Sequence, residues 1–351
     1  MSKTERLAAD AAGATRTANV MRAAAILRAG GTVALPTETV YGLGANALSA
    51  EAVEKIFAAK ERPKWDPLIV HVCDVEMART VAEVSELAER LAAKFWPGPL
   101  TMLLPRKACV PDAVTAGRAL VGVRMPRHAV ALELIREAGV PVAAPSANRF
   151  GHTSPTTAAH VLEDLDGRID AVLDGGATEV GVESTVVDVS VTPMRIYRPG
   201  AVTAAMLSEF GAVEVFSSIA AGTPSEEVPA PAPGVGLRHY APRARLVLVE
   251  RKSGEDLRGF WHRFKQAGAE QAGVVGWMLP ERFSEMQEDE RTLIYKWGEW
   301  TDAEALAARL FAGLRELDAR GADVIVCPMP GADGIGDAVR DRLRKAAVAA
   351  E

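Results

Sequence analysis

Residues 32–44 read TVALPTETVYGLG, a stretch in which an apolar run passes directly into a polar loop. Thr32–Leu35 has the β-prone, apolar composition of a short buried strand. Thr37, Glu38 and Thr39 follow at once, so hydroxyls and a carboxylate lie where strand becomes loop. In open α/β sheets ligands bind at such positions, and the stretch therefore predicts an α/β fold with a ligand site here. The alternative is an ordinary polar turn with Glu38 in solvent.

Outward from this stretch, helical and strand-like segments alternate from about residue 19 to residue 211. Helices are predicted over Asn19–Arg28, Ser49–Lys60 and His128–Glu137. Further apolar, β-prone runs lie at Leu68–His71, Leu100–Leu104, Ala119–Val123, Val140–Ala144 and Ser184–Val189. Some runs follow one another without a helix between them, so the sheet is predicted to be mixed and not purely parallel. This first α/β domain is predicted over residues 1–216.

The chain changes character between residues 217 and 243, where Ala, Gly, Pro, Ser and Glu dominate. Such a composition predicts a semi-rigid, proline-rich linker. Beyond it, strand-like runs at Leu246–Glu250, Val274–Trp277, Thr292–Tyr295 and Val324–Cys327 alternate with helical runs near 255–267, 302–319 and 336–348. That is the βαβ pattern of a small, parallel, Rossmann-like α/β domain, predicted over residues 244–351.

Composition supports two intracellular domains and excludes several classes of protein. The 351 residues, 48% of them hydrophobic, can fill more than one core. A net charge of −6 argues against a protein that grips nucleic acid through broad positive charge. The first twenty residues lack the apolar core of a secretory signal, and no run approaches the roughly 18 uncharged residues that span a bilayer. A cytoplasmic location without membrane association is therefore expected.

The sequence also lacks the common signatures of metal and nucleotide sites. The three cysteines form no CxxC pair, and the six histidines include no HExxH, so no structural metal is predicted. GxxxxGK[ST], the protein-kinase signature and GxSxG are missing as well. The fragments GLG at 42–44 and GIG at 334–336 are each typical of turn and helix-packing glycines. Any ATP site must therefore be built in another way.

Residues 60–71, KERPKWDPLIVH, place three cations and an acid ahead of a strand. Lys60, Arg62 and Lys64 could clamp a triphosphate, because their donors neutralise charge on phosphate and on departing pyrophosphate. The alternative is a solvated basic loop. His71 ends the strand. It is either a catalytic group or a core histidine whose hydrogen bonds are made within the protein.

Six further motifs add polar groups near predicted strand ends or in the predicted linker. APSAN at 144–148 and GHTSPT at 151–156 supply hydroxyls before a helix that begins near Thr156, an arrangement that suits anion binding as well as ordinary capping. Arg124 follows the strand of VGVRMP and suits bidentate capture of a carboxylate, with a surface ion pair as its alternative. VESTVVD and YRPG add Ser184 and Arg198, and RHYAP at 238–242 could close over a site as part of a lid.

Taken together and in this order, seven motifs resemble the threonylcarbamoyl-AMP synthase (YrdC-like) family in its long, two-domain form. They are PTETVYGLG, KERPKWDPLIVHV, VGVRMP, APSANRFGHTSPT, VESTVVD, YRPG and GLRHYAP. The resemblance implies a twisted, mixed-sheet domain followed by a smaller Rossmann-like domain. It also implies synthesis of threonylcarbamoyl-AMP and pyrophosphate from L-threonine, bicarbonate and ATP with Mg²⁺, for N6-threonylcarbamoyladenosine in tRNA. A downstream tRNA threonylcarbamoyl transferase is the implied partner, and a monomer is expected.

The resemblance also implies which residues bind each substrate. The catalytic set is Lys60, Arg62 and His71. The threonine-binding set is Thr37, Thr39, His71, Arg124, Ala144 through its backbone, and Ser184. The ATP-binding set is Arg62, Asp66, Leu120, Ser146, Ser154, Arg198, His239 and Tyr240. No residue is assigned as a metal ligand.

Three positions depart from the family pattern: Asp66 stands where Asn is frequent, Leu120 where Thr or Ser is common, and Phe150 where a small residue is usual. An acid near ATP repels phosphate unless it meets Mg²⁺ or the ribose, which is therefore expected of Asp66. Leu120 can offer only backbone groups.

The implied chemistry depends on positioning and charge neutralisation, with little covalent help from the protein. The threonine amine forms a carbamate, whose oxygen attacks the α-phosphorus and expels pyrophosphate. His71 is a candidate general base, and water or bicarbonate is the alternative. Two other functions stay open: a carbamoyl-adenylate-forming enzyme of the same fold, and a module that binds double-stranded RNA through its phosphates.

Overall fold

The computed structural model describes residues 3–10, 13–216, 230–235 and 239–348. The chain forms two compact units. The first comprises Met1–Phe150 with Ser154–Gly236, and the second comprises Gly151–Thr153 with Leu237–Glu351. Of the predicted linker at 217–243, residues 217–229 and 236–238 lie outside the described residues.

A large twisted sheet organises the first unit, and its strands pair in both directions. In the described residues its strands are β1 Glu5–Ala8, β2 Val33–Leu35, β3 Gly42–Asn46, β4 Ile69–His71, β5 Leu100–Pro105, β6 Leu120–Arg124, β7 Val142–Ala143, β8 Ala171–Asp174, β9 Thr185–Asp188, β10 Met194–Arg198 and β11 Val213–Val215. Their order is β1-β8-β2-β3-β7-β4-β6-β5-β9-β10-β11. The pairs β4–β6 and β5–β9 are parallel, whereas β2–β3 and β5–β6 are antiparallel. The prediction of a mixed sheet is therefore confirmed.

Several helices of the first unit begin or end at residues that local chemistry indicates, whereas the helix predicted from Asn19 begins earlier, at Ala14, without a side-chain cap. Those described are α1 Ala14–Arg28, α2 Ala50–Lys60, α3 Val75–Val81, α4 Glu86–Phe95, α5 Asp112–Thr115, α6 Ala129–Ala138, α7 Ala158–Leu165 and α8 Ala204–Ser208. Ser49 caps α2 by accepting the Ala52 N–H, and Gly139 ends α6 at a positive φ of 67°. The helix expected near Thr156 begins at Ala158, because Thr157 supplies the cap by accepting the His160 N–H.

Packed side chains cover both faces of this sheet. One core cluster joins α2 and α4 to the strands through residues such as Ile56, Leu91 and Val123. Another packs α1 and α6 against the sheet through Leu27 and Leu134. The glycines of GLG lie within β3 and not in a turn: a Cβ on Gly44 would stand 2.8 Å from both Leu35 Cδ2 and Val142 Cγ1. The prediction of turn glycines was wrong at this position, because close packing between strands requires them.

The second unit contains a smaller, wholly parallel sheet. Its strands are β12 Arg245–Val249, β13 Val275–Pro280, β14 Thr292–Gly298 and β15 Val324–Pro328, in the order β12-β15-β13-β14. Its helices are α9 Leu257–Ala269, α10 Ala303–Ala319 and α11 Gly336–Ala346. Phe264, Trp277 and Val326 are among the residues of its core. The predicted parallel α/β arrangement of this part of the chain is confirmed. None of the helices in the described part of the chain combines the length and apolar character needed to cross a membrane.

Candidate functional site

A buried ion pair joins the loop after β2 to the end of β6. Arg124 Nη2 lies 2.8 Å from Glu38 Oε2, and both side chains are almost completely buried. The contact lacks the alignment of a hydrogen bond, since neither atom has a hydrogen-bond partner among the described residues. Arg124 Nε donates to the Gly98 carbonyl at 3.3 Å. Both alternatives considered for these residues, a solvated Glu38 and a surface pair for Arg124, were wrong because the two side chains neutralise each other inside the unit.

His71 lies beside this pair because β4 and β6 are parallel neighbours with His71 in register with Arg124. Burial, assisted by the positive charge of Arg124, lowers the pKa of His71 to about 3. The imidazole is therefore neutral at pH 7. Its Nδ1 atom has no hydrogen-bond partner within the described part of the chain. A neutral ring of such low basicity suits hydrogen bonding to a ligand better than proton abstraction.

The two threonines of the PTET motif have different surroundings. The Thr37 hydroxyl donates to the Val40 carbonyl at 2.6 Å and accepts the backbone N–H groups of Thr39 and Val40. Its proton is thereby used, so Thr39 Oγ1 donates to Thr37 Oγ1 across 2.9 Å. Thr37 shapes the loop, whereas the lone pairs of Thr39 remain to accept a donor from a ligand. At the next strand the Ala144 N–H is bonded to the Ile69 carbonyl, so a backbone contact from Ala144 to a ligand would use its carbonyl.

Hydrogen bonds continue from Arg124 to the start of β9. The chain passes from Gly98, the acceptor of Arg124, to Pro99, whose carbonyl accepts the Thr185 N–H at 3.0 Å. The preceding residue, Ser184, has its hydroxyl 2.8 Å from Thr101 Oγ1. Arg198 on β10 donates to both the carbonyl and the hydroxyl of Ser184, at 3.1 and 3.2 Å. Ser184 and Arg198 are thus held together beside the threonine-binding residues that the sequence indicated.

From β9 the contacts return to the PTET loop. Ser154 Oγ donates to Glu183 Oε1 at 2.6 Å, and Glu183 directly precedes Ser184. The carbonyl of Pro155, next to Ser154, accepts the Tyr41 N–H at 2.9 Å. The contacts therefore form a closed ring, which we call the buried polar cluster: Thr37, Glu38, Thr39, His71, Arg124, Ser154, Glu183, Ser184 and Arg198. All nine are buried. Burying so many polar groups in one region is costly, as is typical of a ligand site.

Lys60 holds the neighbouring serine-containing loop and does not extend into solvent. Its Nζ donates to the carbonyls of Ser146 and Asn148, the first at 2.6 Å, and its own carbonyl accepts the Phe150 N–H. Burial lowers the pKa of Lys60, and the nearby Arg62 lowers it further. The solvated basic loop considered for this segment is wrong for Lys60, which is only 1% exposed. The structure places Lys60 as a tether of the loop that carries Ser146.

Arg62 folds back on its own loop. Its Nη2 lies 2.9 Å from Asp66 Oδ2 and donates to the Pro67 carbonyl at 3.0 Å, while Nε donates to the Asp66 carbonyl. The acid at position 66 therefore has a cationic partner within its own loop. The Phe150 ring lies under the Arg62 guanidinium, 5.9 Å from Cζ to centroid, and meets Trp65 edge-on.

The remaining predicted ATP residues lie in two other environments. The Leu120 side chain packs against an apolar cluster that includes Val186, Ala232 and Val235, so it meets the described segment 230–235. Tyr240 belongs to the second unit, where it is buried with its ring stacked on Phe311 and beneath the Arg342 guanidinium.

His239 also belongs to the second unit, and its ring lies 4.5 Å from that of Tyr240. The nucleotide contacts expected of these two residues stay predictions, and residues 236–238 of the same motif lie outside the described residues.

The sequence indicated Glu38 as part of a ligand-binding stretch but gave it no specific role, and it gave none to Glu183 or Thr101. Glu38 and Glu183 lie inside the recognised motifs PTET and VEST, and this position in the sequence could have assigned them to the site. Thr101, the partner of Ser184, lies in a predicted strand and carries no such signal. Across residues 3–10, 13–216, 230–235 and 239–348, no three His, Cys, Asp or Glu side chains form a group that could hold a metal ion.

Two family models match the chain. One, described as telomere recombination, covers residues 25–200. The other, described as threonylcarbamoyl-AMP synthase, C-terminal domain, covers residues 202–348.

Proteins named threonylcarbamoyl-AMP synthase match the chain across both units. The threonylcarbamoyl-AMP synthase of Pyrococcus abyssi is 42% identical over 332 residues, which is 92% of each chain. That of Bacillus subtilis is 40% identical over 339 residues, 95% of this chain and 94% of its own. The crystal structure of P. abyssi Sua5 complexed with L-threonine matches at a TM-score of 0.87 and 38% identity, covering 98% of this chain and 97% of that one.

Proposed function

The chain belongs to the threonylcarbamoyl-AMP synthase family, and from that premise we propose that it converts L-threonine, bicarbonate and ATP into threonylcarbamoyl-AMP and pyrophosphate. The product serves N6-threonylcarbamoyladenosine modification of tRNA. The observation that supports this most directly is the buried polar cluster, which sets Arg124, His71, Thr39 and Ser184 in one contiguous region. A small zwitterionic amino acid is the ligand class that such a mixture of charges and hydroxyls fits.

Threonine is proposed to bind at the Arg124 side of the cluster. Arg124 would hold the substrate carboxylate, because a guanidinium offers two parallel donors to it. Thr39 would accept a hydrogen bond from the side-chain hydroxyl of the substrate, and Ser184 would accept or donate there. Neutral His71 would add one hydrogen bond. Thr37 would act indirectly by shaping the loop, and the Ala144 carbonyl is the backbone acceptor.

ATP is proposed to bind toward the Lys60–Asp66 loop and the two serine-containing loops. Arg62 and Arg198 would neutralise phosphate charge, and Ser146 would donate to a phosphate oxygen. Ser154 would do so by turning its hydroxyl from Glu183 to the ligand. Lys60 contributes by fixing the Ser146 loop. Leu120, His239 and Tyr240 complete the proposed set.

The reaction then needs two groups held in line. The threonine nitrogen forms a bond to the carbon of bicarbonate while a C–O bond of bicarbonate breaks, which gives a carbamate, water and a proton. A carbamate oxygen attacks the α-phosphorus, and the bond to the β-phosphate breaks so that pyrophosphate departs. Fixing both reactants in one site removes most of the entropic cost of their encounter. The arginines stabilise the charge that develops on the phosphoryl group and on pyrophosphate.

Mg²⁺ is proposed to accompany ATP. This cation keeps several waters and is held by one or two carboxylates together with substrate phosphates, so the site needs no protein cage. Asp66, which pairs with Arg62, carries the carboxylate that would complete its coordination. When bound, the ion neutralises phosphate charge.

We further propose that the protein works in the cytoplasm as a monomer and passes its product to a tRNA threonylcarbamoyl transferase. The mixed anhydride is a reactive acyl donor, so a consuming enzyme must follow.

The test is release of pyrophosphate from a mixture of purified protein, ATP, Mg²⁺, bicarbonate and L-threonine, with each component omitted in turn. We expect release only in the complete mixture. Release that does not depend on threonine, or formation of ADP, would contradict the proposal.

A further inference from the structure

Glu38 is a buried carboxylate to which the threonine and ATP sets assign no role. It is 0% exposed, and its nearest charged partner is Arg124 at 2.8 Å. Neither of its carboxylate oxygens accepts a hydrogen bond from the described part of the chain. A carboxylate buried for structural reasons is normally hydrogen-bonded, because its lone pairs lose their water on burial.

Four buried polar atoms of neighbouring residues in the buried polar cluster lack a hydrogen-bond partner in the described residues. They are Glu38 Oε1 and Oε2, Arg124 Nη2 and His71 Nδ1. Together they offer acceptors on one side and a cationic donor on the other. A zwitterion with a carboxylate and an ammonium group a few bonds apart satisfies both sides.

We propose that Glu38 binds the ammonium group of the substrate amino acid and accepts the proton that this group loses when it becomes a carbamate. The proposal rests on the proposed function and deepens it by assigning the group that handles the substrate nitrogen. Without ligand, Glu38 and Arg124 neutralise each other. When threonine enters, its carboxylate replaces Glu38 at Arg124, and its ammonium replaces Arg124 at Glu38.

This exchange of partners explains how a buried pair can open. Removing one partner of a buried ion pair is strongly unfavourable because it leaves an uncompensated charge. A zwitterion replaces each lost partner by a group of the same sign, so the net charge inside the site does not change. A ligand that lacks the ammonium group would leave Glu38 uncompensated, and the site should reject it.

The proton balance requires an acceptor at this position. The ammonium group and bicarbonate combine to give carbamate and water: the C–N bond forms, a C–O bond of bicarbonate breaks, and its oxygen leaves in the water. One proton remains from the ammonium group, and it passes to the Glu38 carboxylate. His71 is poorly suited to take it, because a ring so weakly basic stays neutral at pH 7.

The test compares two ligands on matched variants by calorimetry. L-threonine carries the ammonium group, and 3-hydroxybutyrate keeps the carboxylate and hydroxyl but lacks it. We expect the wild-type protein to prefer threonine by at least tenfold. Glu38→Gln should lose at least tenfold in affinity for threonine while its affinity for 3-hydroxybutyrate is unchanged or rises. Glu179→Gln is the control, because Glu179 is exposed and pairs only at the surface with Arg127, and it should behave as wild type.

Turnover supplies a second readout. Glu38→Gln should lower kcat for pyrophosphate release at saturating threonine by about a hundredfold, as loss of a general base does, and Glu38→Asp should recover part of the loss. Equal loss of affinity for both ligands in Glu38→Gln would make Glu38 a structural residue and overturn the proposal.

Two further outcomes are distinguishable. Should Glu38→Gln fail to fold, the wild-type comparison still decides, because equal binding of threonine and 3-hydroxybutyrate would overturn the proposal without any variant. A wild-type protein that releases no pyrophosphate from the complete mixture would instead overturn the proposed function.

Discussion

Lys60 shows how a single residue can support the site through the backbone of a neighbouring loop. Its position in a basic segment predicted a phosphate clamp, yet its ammonium group is buried and donates to two backbone carbonyls. A lysine in water would prefer to stay hydrated, so this position requires a compensating gain. The two hydrogen bonds to these carbonyls, which fix the loop that carries Ser146, offset the lost hydration.

Replacing Lys60 by Met tests this role. A buried carbonyl, that of Asn148, and a part-buried one, that of Ser146, would lose this donor, and a buried unsatisfied group costs about 1–3 kcal/mol. We expect the free energy of unfolding, measured in urea, to fall by at least the lower value. Lys64→Met is the control: its side chain is 65% exposed and pairs with Glu54 at the surface, so it should change stability by less than about 0.5 kcal/mol. Equal effects of the two substitutions would contradict a tethering role.

His71 makes a prediction about pH. Its pKa is about 3 in the folded protein, whereas an unperturbed histidine has a pKa of 6.5, so the unfolded chain binds more protons between these values. The stability that His71 contributes is therefore full above pH 6.5 and is lost as the pH falls toward 3. The loss is up to about 1.4 kcal/mol per pH unit.

Urea unfolding of wild type and His71→Asn at pH 7 and pH 5 measures this effect. We expect wild type to lose about 2 kcal/mol more than the variant over this interval. His262→Asn, at an exposed position, should follow wild type. Parallel losses in wild type and His71→Asn would show that His71 does not titrate as proposed.

At the scale of elements, local signals predicted some helix ends and missed pairings between distant segments. Ser49 and Gly139 lie next to the helices they cap, so their chemistry could be recognised in sequence. By contrast, β1 pairs in parallel with β8, with Glu5 opposite Ala171, and nothing in either short segment indicates the other. The same limit applied to the site: Glu38 was visible in its motif, but its burial depends on Arg124, which a different strand supplies.

The strand β3 gives a test at this scale. Gly44→Ala would place a Cβ 2.8 Å from side-chain atoms of Leu35 and Val142, in a sheet interior that cannot easily move apart. We expect a loss of about 1–3 kcal/mol in stability, as overpacked cores show. In Gly331→Ala the new Cβ would meet only Asp333 Oδ2 at 3.9 Å, so the change should be close to neutral. Thermal unfolding of both variants decides, and an unperturbed Gly44→Ala would contradict the packing account.

The whole molecule is acidic, with a net charge of −6, and this bears on the RNA-binding alternative. Proteins that grip RNA duplexes through phosphates owe their affinity to many lysine and arginine contacts, and that affinity falls steeply with salt. We expect weak binding of a short RNA duplex at about 0.15 M salt, and pyrophosphate release that RNA does not change. Tight, strongly salt-dependent binding by a protein without ATP turnover would favour the alternative.

One protein is proposed to join L-threonine to the α-phosphate of ATP through the carbon of bicarbonate. This central claim is tested most directly by supplying carbon-labelled bicarbonate and α-phosphate-labelled ATP together with threonine, then separating the products. The account predicts one compound that carries both labels in equal amounts and forms only when threonine is present. Labels that never occur in the same compound, or α-label recovered only in ADP, would contradict it.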